Sequence, residues 1–150
     1  MRIVQKAFAY VTNRDRLLVL RHPNSPQVGL QVPAGTIKHW ESPQSVALRE
    51  AQEETGLRSL HVESPLGCCT FNSSPYGGNE IHERHFLHLE AVGEFPERWN
   101  HYQSDPEGGS KPILFELSWV ENYGEGTALF AEHGALLPKL RERCLRRPCS

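Results

Sequence analysis

Charge of one prevailing sign, long apolar runs and paired-cysteine motifs are all missing from this 150-residue chain. Lys plus Arg number 16 against 18 Asp plus Glu, a formal net charge of −2, so the chain lacks the basic excess that marks a nucleic-acid binder. Its one basic cluster, Lys139, Arg141, Arg143, Arg146 and Arg147, reads as the exposed face of a C-terminal helix. No span of 18 apolar residues occurs, and the opening Met1 to Lys6 has no apolar signal region, so neither a membrane span nor a secretory leader is expected. The cysteines are an adjacent Cys68-Cys69 pair with Cys144 and Cys149. They lack C-x-x-C spacing, which argues against a disulfide framework or a zinc site and suits a reducing cytoplasm. Hydrophobic residues make up 38% of the chain, enough for the core of a single domain over residues 1–150.

What the chain does have is concentrated between Gly35 and Leu57. Ser42 is a good N-cap, Pro43 suits a first helical position that needs no amide hydrogen, and Gly56 stands where a helix ends in a left-handed residue. These signals predict a helix over Pro43 to Thr55. Within it Glu50, Glu53 and Glu54 are spaced i, i+3 and i+4, which stacks three carboxylates on one face. Ala47, Leu48, Ala51 and Thr55 form an apolar stripe beside them, with Val46 a further apolar position. Carboxylates so close either take up protons or hold a cation. Oxygen donors without His or Cys suit Mg²⁺ or Mn²⁺ rather than Zn²⁺.

The full spacing is Gly35, five residues, Glu41, seven residues, then Arg49-Glu50-Ala51-Gln52-Glu53-Glu54-Thr55-Gly56-Leu57. An Arg- and Glu-rich helix alone would be an ordinary solvated face, but such a face has no need of Gly35 and Glu41 upstream. Seven positions demand Gly, Glu or Arg, so chance supplies the pattern on the order of 10⁻⁸ times per starting position. The stretch resembles the signature box of the Nudix (MutT-like) hydrolases, with every signature position filled. The resemblance implies an α/β (α+β) fold, an α/β/α sandwich with a mixed sheet, and a Mg²⁺-dependent pyrophosphohydrolase acting on a small nucleoside diphosphate derivative. It further implies that Glu50, Glu53 and Glu54 are metal ligands together with the backbone of Gly35. Glu50 is then the candidate acceptor of the water proton, and Arg49 braced by Glu41 orients the carboxylates. Diphosphate hydrolysis needs charge neutralised on phosphate oxygens and a water made nucleophilic, which a bound divalent cation provides.

Two departures stand out. Trp40 occupies the position before Glu41 where the family's usual wording has Gly, and packing over the loop is expected of it in preference to stacking on a base. Pro33-Ala34-Gly35 replaces the more frequent Pro-Gly-Gly and leans toward nucleotide sugars such as ADP-ribose. A late loop often adds a carboxylate in the family; Glu107 is the candidate for an extra metal ligand or base, with Glu116 as its substitute. The aromatic pool for base recognition is Phe71, Tyr76, Trp99 and Tyr102. His82, His85 and His88 recur every third residue of an expected strand, on alternating faces, which argues against a metal cluster.

Elsewhere, residues 3–11 and 17–21 read as a hairpin about a Thr12 to Asp15 turn. Short strands are expected at 30–32 and 36–38 around a Pro33-Ala34-Gly35 turn, then strands at 60–63, 67–72, 81–92 and 115–120. Residues 95–111 read as a long irregular loop, and 127–147 as a helix interrupted near Pro138. Two other functions share the scaffold. A nucleotide-sensing module without turnover would usually lose box carboxylates, and an isoprenoid diphosphate isomerase would need its own Cys and Glu, for which only Cys68 and Cys69 offer themselves.

Overall fold

The first hairpin sets the architecture, because its two strands part after their first two paired residues. The computed structural model describes residues 1–103 and 111–146. Strands β1 (Arg2–Asn13) and β2 (Arg16–Arg21) pair only at Thr12 with Leu17 and Asn13 with Arg16. Arg14 and Asp15 between them both have positive φ, 52° and 61°, as a two-residue turn matched to strand twist requires. Into the gap that opens runs the segment 31–37. Gln31 exchanges backbone hydrogen bonds with Leu20 on β2, the Ala9 amide donates to the Pro33 carbonyl, and β3 (Ala34–Thr36) pairs with Lys6–Phe8 of β1.

Ala34 and Gly35 therefore lie in a strand, with Pro33 bonded to β1 just before it, and the expectation of a turn flanked by two strands is corrected. A proline lacks a donor but keeps its carbonyl, and that is the group β1 uses here.

Beyond α1 (Pro43–Thr55) come β4 (Leu60–Asn72), β5 (Glu80–Ala91), β6 (Arg98–Gln103), β7 (Ile113–Val120) and α2 (Leu137–Leu145). The sheet order is β4-β5-β1-β2-β7-β6 with β3 added on β1; β1 and β5 are parallel and the other pairs antiparallel, so the sheet is mixed. The two strands expected at 60–63 and 67–72 are one strand with register shifts at Val62/Ser64 and Pro65/Gly67. Irregularity of that kind is how a strand accommodates a proline. β6 falls inside the expected loop, and Pro138 lies in the first turn of α2 instead of breaking a longer helix.

Each sheet face carries its own core. Ala7, Ala9, Val11, Leu18, Leu20, Leu87 and Leu89 pack with Val46, Ala47 and Ala51 of α1. Phe8, Tyr10, Leu17, Val19 and Phe86 pack with Leu137 and Leu140 of α2. The result is the expected α/β/α sandwich. No helix among the described residues is long and apolar enough to cross a membrane.

Polar side chains tie the α2 side to the sheet. Tyr10 donates its hydroxyl to the His133 carbonyl (2.7 Å) and accepts from the Leu136 amide (3.1 Å). Arg84, buried, stacks its guanidinium 3.6 Å from the Phe71 ring centroid and donates to the Ala131 carbonyl at 2.6 Å. The three histidines of β5 are engaged separately: His82 with Glu80, His85 with Gln5, His88 with Thr12.

His133 carries a testable consequence. Its Nδ1 accepts from the Val32 amide inside the α2-side core, and burial, with Arg84 and His82 nearby, pushes its pKa down to about 3. The unfolded chain binds this proton at its ordinary pKa, so the stability that His133 contributes is complete above roughly pH 6.5 and drains as the pH falls toward 3. His133→Asn keeps an acceptor near Nδ1 and removes the titration. Urea melts at pH 7 and pH 5 should show the parent losing more stability over that interval than the variant; equal losses would mean that His133 takes up its proton in the folded state.

Candidate functional site

Helix α1 starts and stops as its sequence dictates. The Ser42 hydroxyl accepts from the Ser45 amide (3.1 Å), Pro43 opens the first turn, and Gly56 closes the helix at φ 79° with its amide on the Gln52 carbonyl. Val46, Ala47, Ala51 and Thr55 are buried against the sheet. The acidic face is left turned toward β3 and its flanking turns.

The closest approach is at Gly35. A Cβ there would run into Cγ and the carboxylate of Glu50, so any side chain at position 35 would have to push the Glu50 side chain out of its place. One residue back, the Ala34 amide donates to Glu54 Oε2 at 3.2 Å. Glu54 is buried at 8% exposure. Burial first, and then the charge of Glu50, raise its carboxyl well above the usual range, while the Ala34 amide opposes the rise. Glu53 is exposed and accepts a long, 3.5 Å hydrogen bond from Gln103 of β6.

A second cluster frames the first. Arg49 donates to Glu41 Oε2 and places its other terminal nitrogen 3.9 Å from Glu50. Glu41 Oε1 accepts from the Lys38 amide at 3.0 Å, and the Glu41 amide returns a bond to the Lys38 carbonyl. The Arg49 guanidinium thereby holds the Glu41 carboxyl below the usual carboxylate range.

Six of the seven Gly, Glu and Arg positions of the box, Gly35, Glu41, Arg49, Glu50, Glu53 and Glu54, line one open cleft of about 980 Å³. The cleft brings in residues that the sequence reading left out: the Ala34 amide, Gln103, and the His22–Phe115 ring pair, whose centroids are 4.8 Å apart. Only strand pairing could reveal them, since β6 and β7 supply Gln103 and Phe115. Among the described residues no three acidic, His or Cys side chains are drawn into a closed ligand set; Glu54 turns to the Ala34 amide and Glu53 toward Gln103.

Several expectations are corrected. Trp40 is not packed down over the loop as expected; it is 70% exposed on the cleft wall, met by His39 and Lys38. Phe71 is buried beneath Arg84, Trp99 donates its indole N–H to the Thr55 carbonyl, and Tyr76 leans on Phe71 and Phe130. Tyr102 is exposed but is not among the residues lining the cleft. Glu116 pairs with Arg21 (3.1 Å) and alternates with Phe115 and Leu117, so it faces away from the α1-side core. Glu107 lies outside the described residues.

Fold and cleft together define an acidic, glycine-gated site on an α/β/α sandwich. The model of the NUDIX domain family matches residues 3–121, and the chain belongs to that family. It is accordingly a hydrolase acting on pyrophosphate bonds, a class of enzyme that generally uses a divalent metal. Among solved structures it is similar to a NUDIX hydrolase from Nitrosomonas europaea, at 20% identity over 80% of this chain and 73% of that one, TM-score 0.58. A UDP-X diphosphatase is similar at 14% identity over 94% of this chain and 61% of that one, TM-score 0.60. An ADP-ribose pyrophosphatase from Streptococcus suis 89-1591 is similar at 13% identity over 97% of this chain and 94% of that one, TM-score 0.56. No curated protein matches the sequence.

The Gly35 contact can be tested through its partner. Gly35→Ala should destabilise the fold by about 1–3 kcal/mol, the usual cost of forcing atoms into an occupied space. Glu50→Ala removes the opposing atoms, so the double variant should recover most of the loss. Thermal melts of the four proteins give the coupling; additive effects would show that Gly35 is needed for some reason other than Glu50.

Proposed function

We propose that the chain is a Mg²⁺-dependent pyrophosphohydrolase that cleaves the diphosphate bond of a nucleoside diphosphate joined to another group, either a nucleotide sugar such as ADP-ribose or a (d)NTP. The observation that carries this reading is the stacking of Glu50 and Glu54 against β3 with Glu53 at the cleft surface.

The residues fit a hard divalent cation. Glu54 is buried beside Glu50 with the Ala34 amide as a partial offset, an arrangement that a proton or a cation relieves. Glu50, Glu53, Glu54 and the Gly35 carbonyl would hold the metal, with Mn²⁺ an acceptable substitute. When bound, the metal supplies charge neutralisation at the diphosphate oxygens and lowers the pKa of water.

Glu50 is the residue we assign to take the proton from the attacking water. It is half-buried, at 17% side-chain exposure, against 42% for Arg49, and lies between Arg49 and Glu54. Arg49 sets a positive charge 3.9 Å from the Glu50 carboxylate, and Glu41 holds the guanidinium in that place. Arg49 and Glu41 are thus positioning residues, the kind whose loss usually costs activity without abolishing it. Lys38 and Lys6, also on the cleft, offer positive charge to the phosphates outside the carboxylate patch.

The substrate class is supported by the Pro33-Ala34-Gly35 wording and by the diphosphatase and pyrophosphatase named among similar structures. A panel of dNTPs, ADP-ribose, other nucleotide sugars, dinucleoside polyphosphates, NADH and CoA with Mg²⁺ or Mn²⁺, read by product chromatography, tests it directly. Reaction in ¹⁸O-water should place label on a phosphate of a nucleotide-derived product. Tight binding with no product from any member would favour a sensing module instead.

Glu53→Gln should lower kcat by orders of magnitude, and near-parental turnover at saturating Mg²⁺ would overturn the assignment. Arg49→Lys should lower it by roughly 10- to 100-fold, since a point charge cannot replace the fork that reaches Glu41 and Glu50 together. Paired melts in EDTA and in millimolar Mg²⁺ complete the test. Mg²⁺ should raise the melting temperature of the parent more than that of Glu53→Gln, because a ligand bound only by the folded state stabilises by mass action.

A further inference from the structure

Trp40, one of the chain's two departures from the usual family wording, puts an aromatic face on the cleft. Lys38 to Glu41 is a tight turn closed by the Glu41 amide on the Lys38 carbonyl at 2.9 Å. His39 and Trp40 are its corner residues. Neither has positive φ, so the turn does not need the conformational freedom of glycine at position 40. Glu41 locks the turn from within by accepting from the Lys38 amide, and from without by its bond to Arg49 on α1. Trp40 is therefore a rigidly based side chain, yet its indole is 70% exposed and lies on the wall of the carboxylate cleft. The His39 ring meets it edge-on at 4.8 Å, and the Lys38 ammonium lies 5.6 Å from its centroid.

The other aromatic side chains do not offer such a face. Phe115, on the same cleft, is 3% exposed and is already met by His22. Phe71 and Trp99 are committed to Arg84 and to the Thr55 carbonyl. Tyr76 packs on Phe71 and Phe130 around the α2 side, and Tyr102 does not line the cleft. Among the described residues, Trp40 alone combines exposure of a large ring with a place in the cleft.

We infer that Trp40 is the stacking platform for the nucleobase, with Lys38 adding positive charge beside it, so that the turn just before Glu41 selects substrates bearing an aromatic ring next to the diphosphate. Leaving so large an apolar surface in water is unfavourable for the free protein, and a base laid on it removes that surface from water on both partners. Stacking accepts any base, so this platform favours nucleotides over other diphosphates without choosing sharply among the bases. The inference rests on the reading of the cleft as a nucleoside diphosphate site.

The probes are AMP and ribose 5-phosphate, which share sugar and phosphate and differ in the base. With the full-length protein and Mg²⁺, AMP should quench tryptophan fluorescence and ribose 5-phosphate should not. Trp40→Phe should remove that quenching while keeping most of the affinity. Trp40→Gly should weaken AMP by roughly tenfold or more, as loss of one stacked base implies, and leave ribose 5-phosphate binding as in the parent. For whichever nucleotide the panel shows to be hydrolysed, Trp40→Gly should raise KM by a larger factor than it lowers kcat. Equal AMP affinity in the parent and Trp40→Gly would overturn the inference even with hydrolysis intact. Trp40-dependent AMP binding by a protein that hydrolyses no member of the panel would uphold the platform and sink the enzyme reading, so the two failures are distinct.

Discussion

The approach of Gly35 to Glu50 is the contact on which the rest of the molecule depends. The strand passes the helix without displacing Glu50 because it lacks a side chain at position 35, and it runs into the gap where β1 and β2 have parted. Hence β1 and β2 share only two residue pairs, and Leu20 and Ala9 on the two sides of the gap both bond to the inserted segment. A fully zipped hairpin would close the gap and force β3, with its glycine, out of the sheet. Opening the hairpin also exposes backbone groups that would otherwise pair, and the segment 31–37 satisfies several of them. The site and the fold are thus one solution to where these hydrogen bonds go.

Helical geometry then makes three identical side chains unequal. Glu54 lies one turn beyond Glu50 and points down between α1 and β3, where it is buried and its carboxyl is driven toward the neutral form. Glu50 is half-buried under Arg49, and Glu53, rotated away, is exposed beside Gln103. Under the proposed reading, a graded set of this kind would give a hard cation donors both beneath it and at the solvent edge. Such an arrangement is poor for stability in isolation, since like charges crowd a partly desolvated site. Its presence in an otherwise well-filled core is a cost that function explains.

The sequence disclosed these features unevenly, for physical reasons. Helix α1 was readable to the residue because its signals are local: a serine cap, a proline in the first turn, a glycine at positive φ. The six box residues that meet in the cleft were readable because chemistry constrains their identity as well as their spacing. β6 was not, since on a sheet edge only its alternate residues Trp99, His101 and Gln103 are even partly buried, and the intervening Arg98, Asn100 and Tyr102 look like a loop. β3 was missed because its residues pair with a strand distant in sequence while carrying a turn-like Pro-Ala-Gly composition. Gln103 and Phe115 join the cleft through β6 and β7, and no local pattern in either strand announces it. Trp40 was misjudged for another reason. The prior that tryptophan packs is sound for an average position, but the corner of a turn anchored at both ends offers it nothing to pack beneath.

Glu41 links the two halves of the cleft in a way its distance from the carboxylate triad conceals. Its two oxygens are divided between the Lys38 amide and the Arg49 guanidinium, so one side chain fixes both the turn that carries Trp40 and the arginine that faces Glu50. Under the proposed reading, the base platform and the hydrolytic carboxylates are joined by a rigid bridge of two charge-assisted hydrogen bonds, which are shorter and stronger than neutral ones. A base stacked on Trp40 would be held at a fixed offset from Glu50, and the diphosphate between them would be positioned by length. Selection would then operate by reach: a group whose ring and scissile phosphate are separated by the wrong distance touches one end of this bridge and cannot satisfy both. Under that reading Glu41 would matter less as a charge than as a ruler, which is why a box of simple residues can govern orientation as well as chemistry.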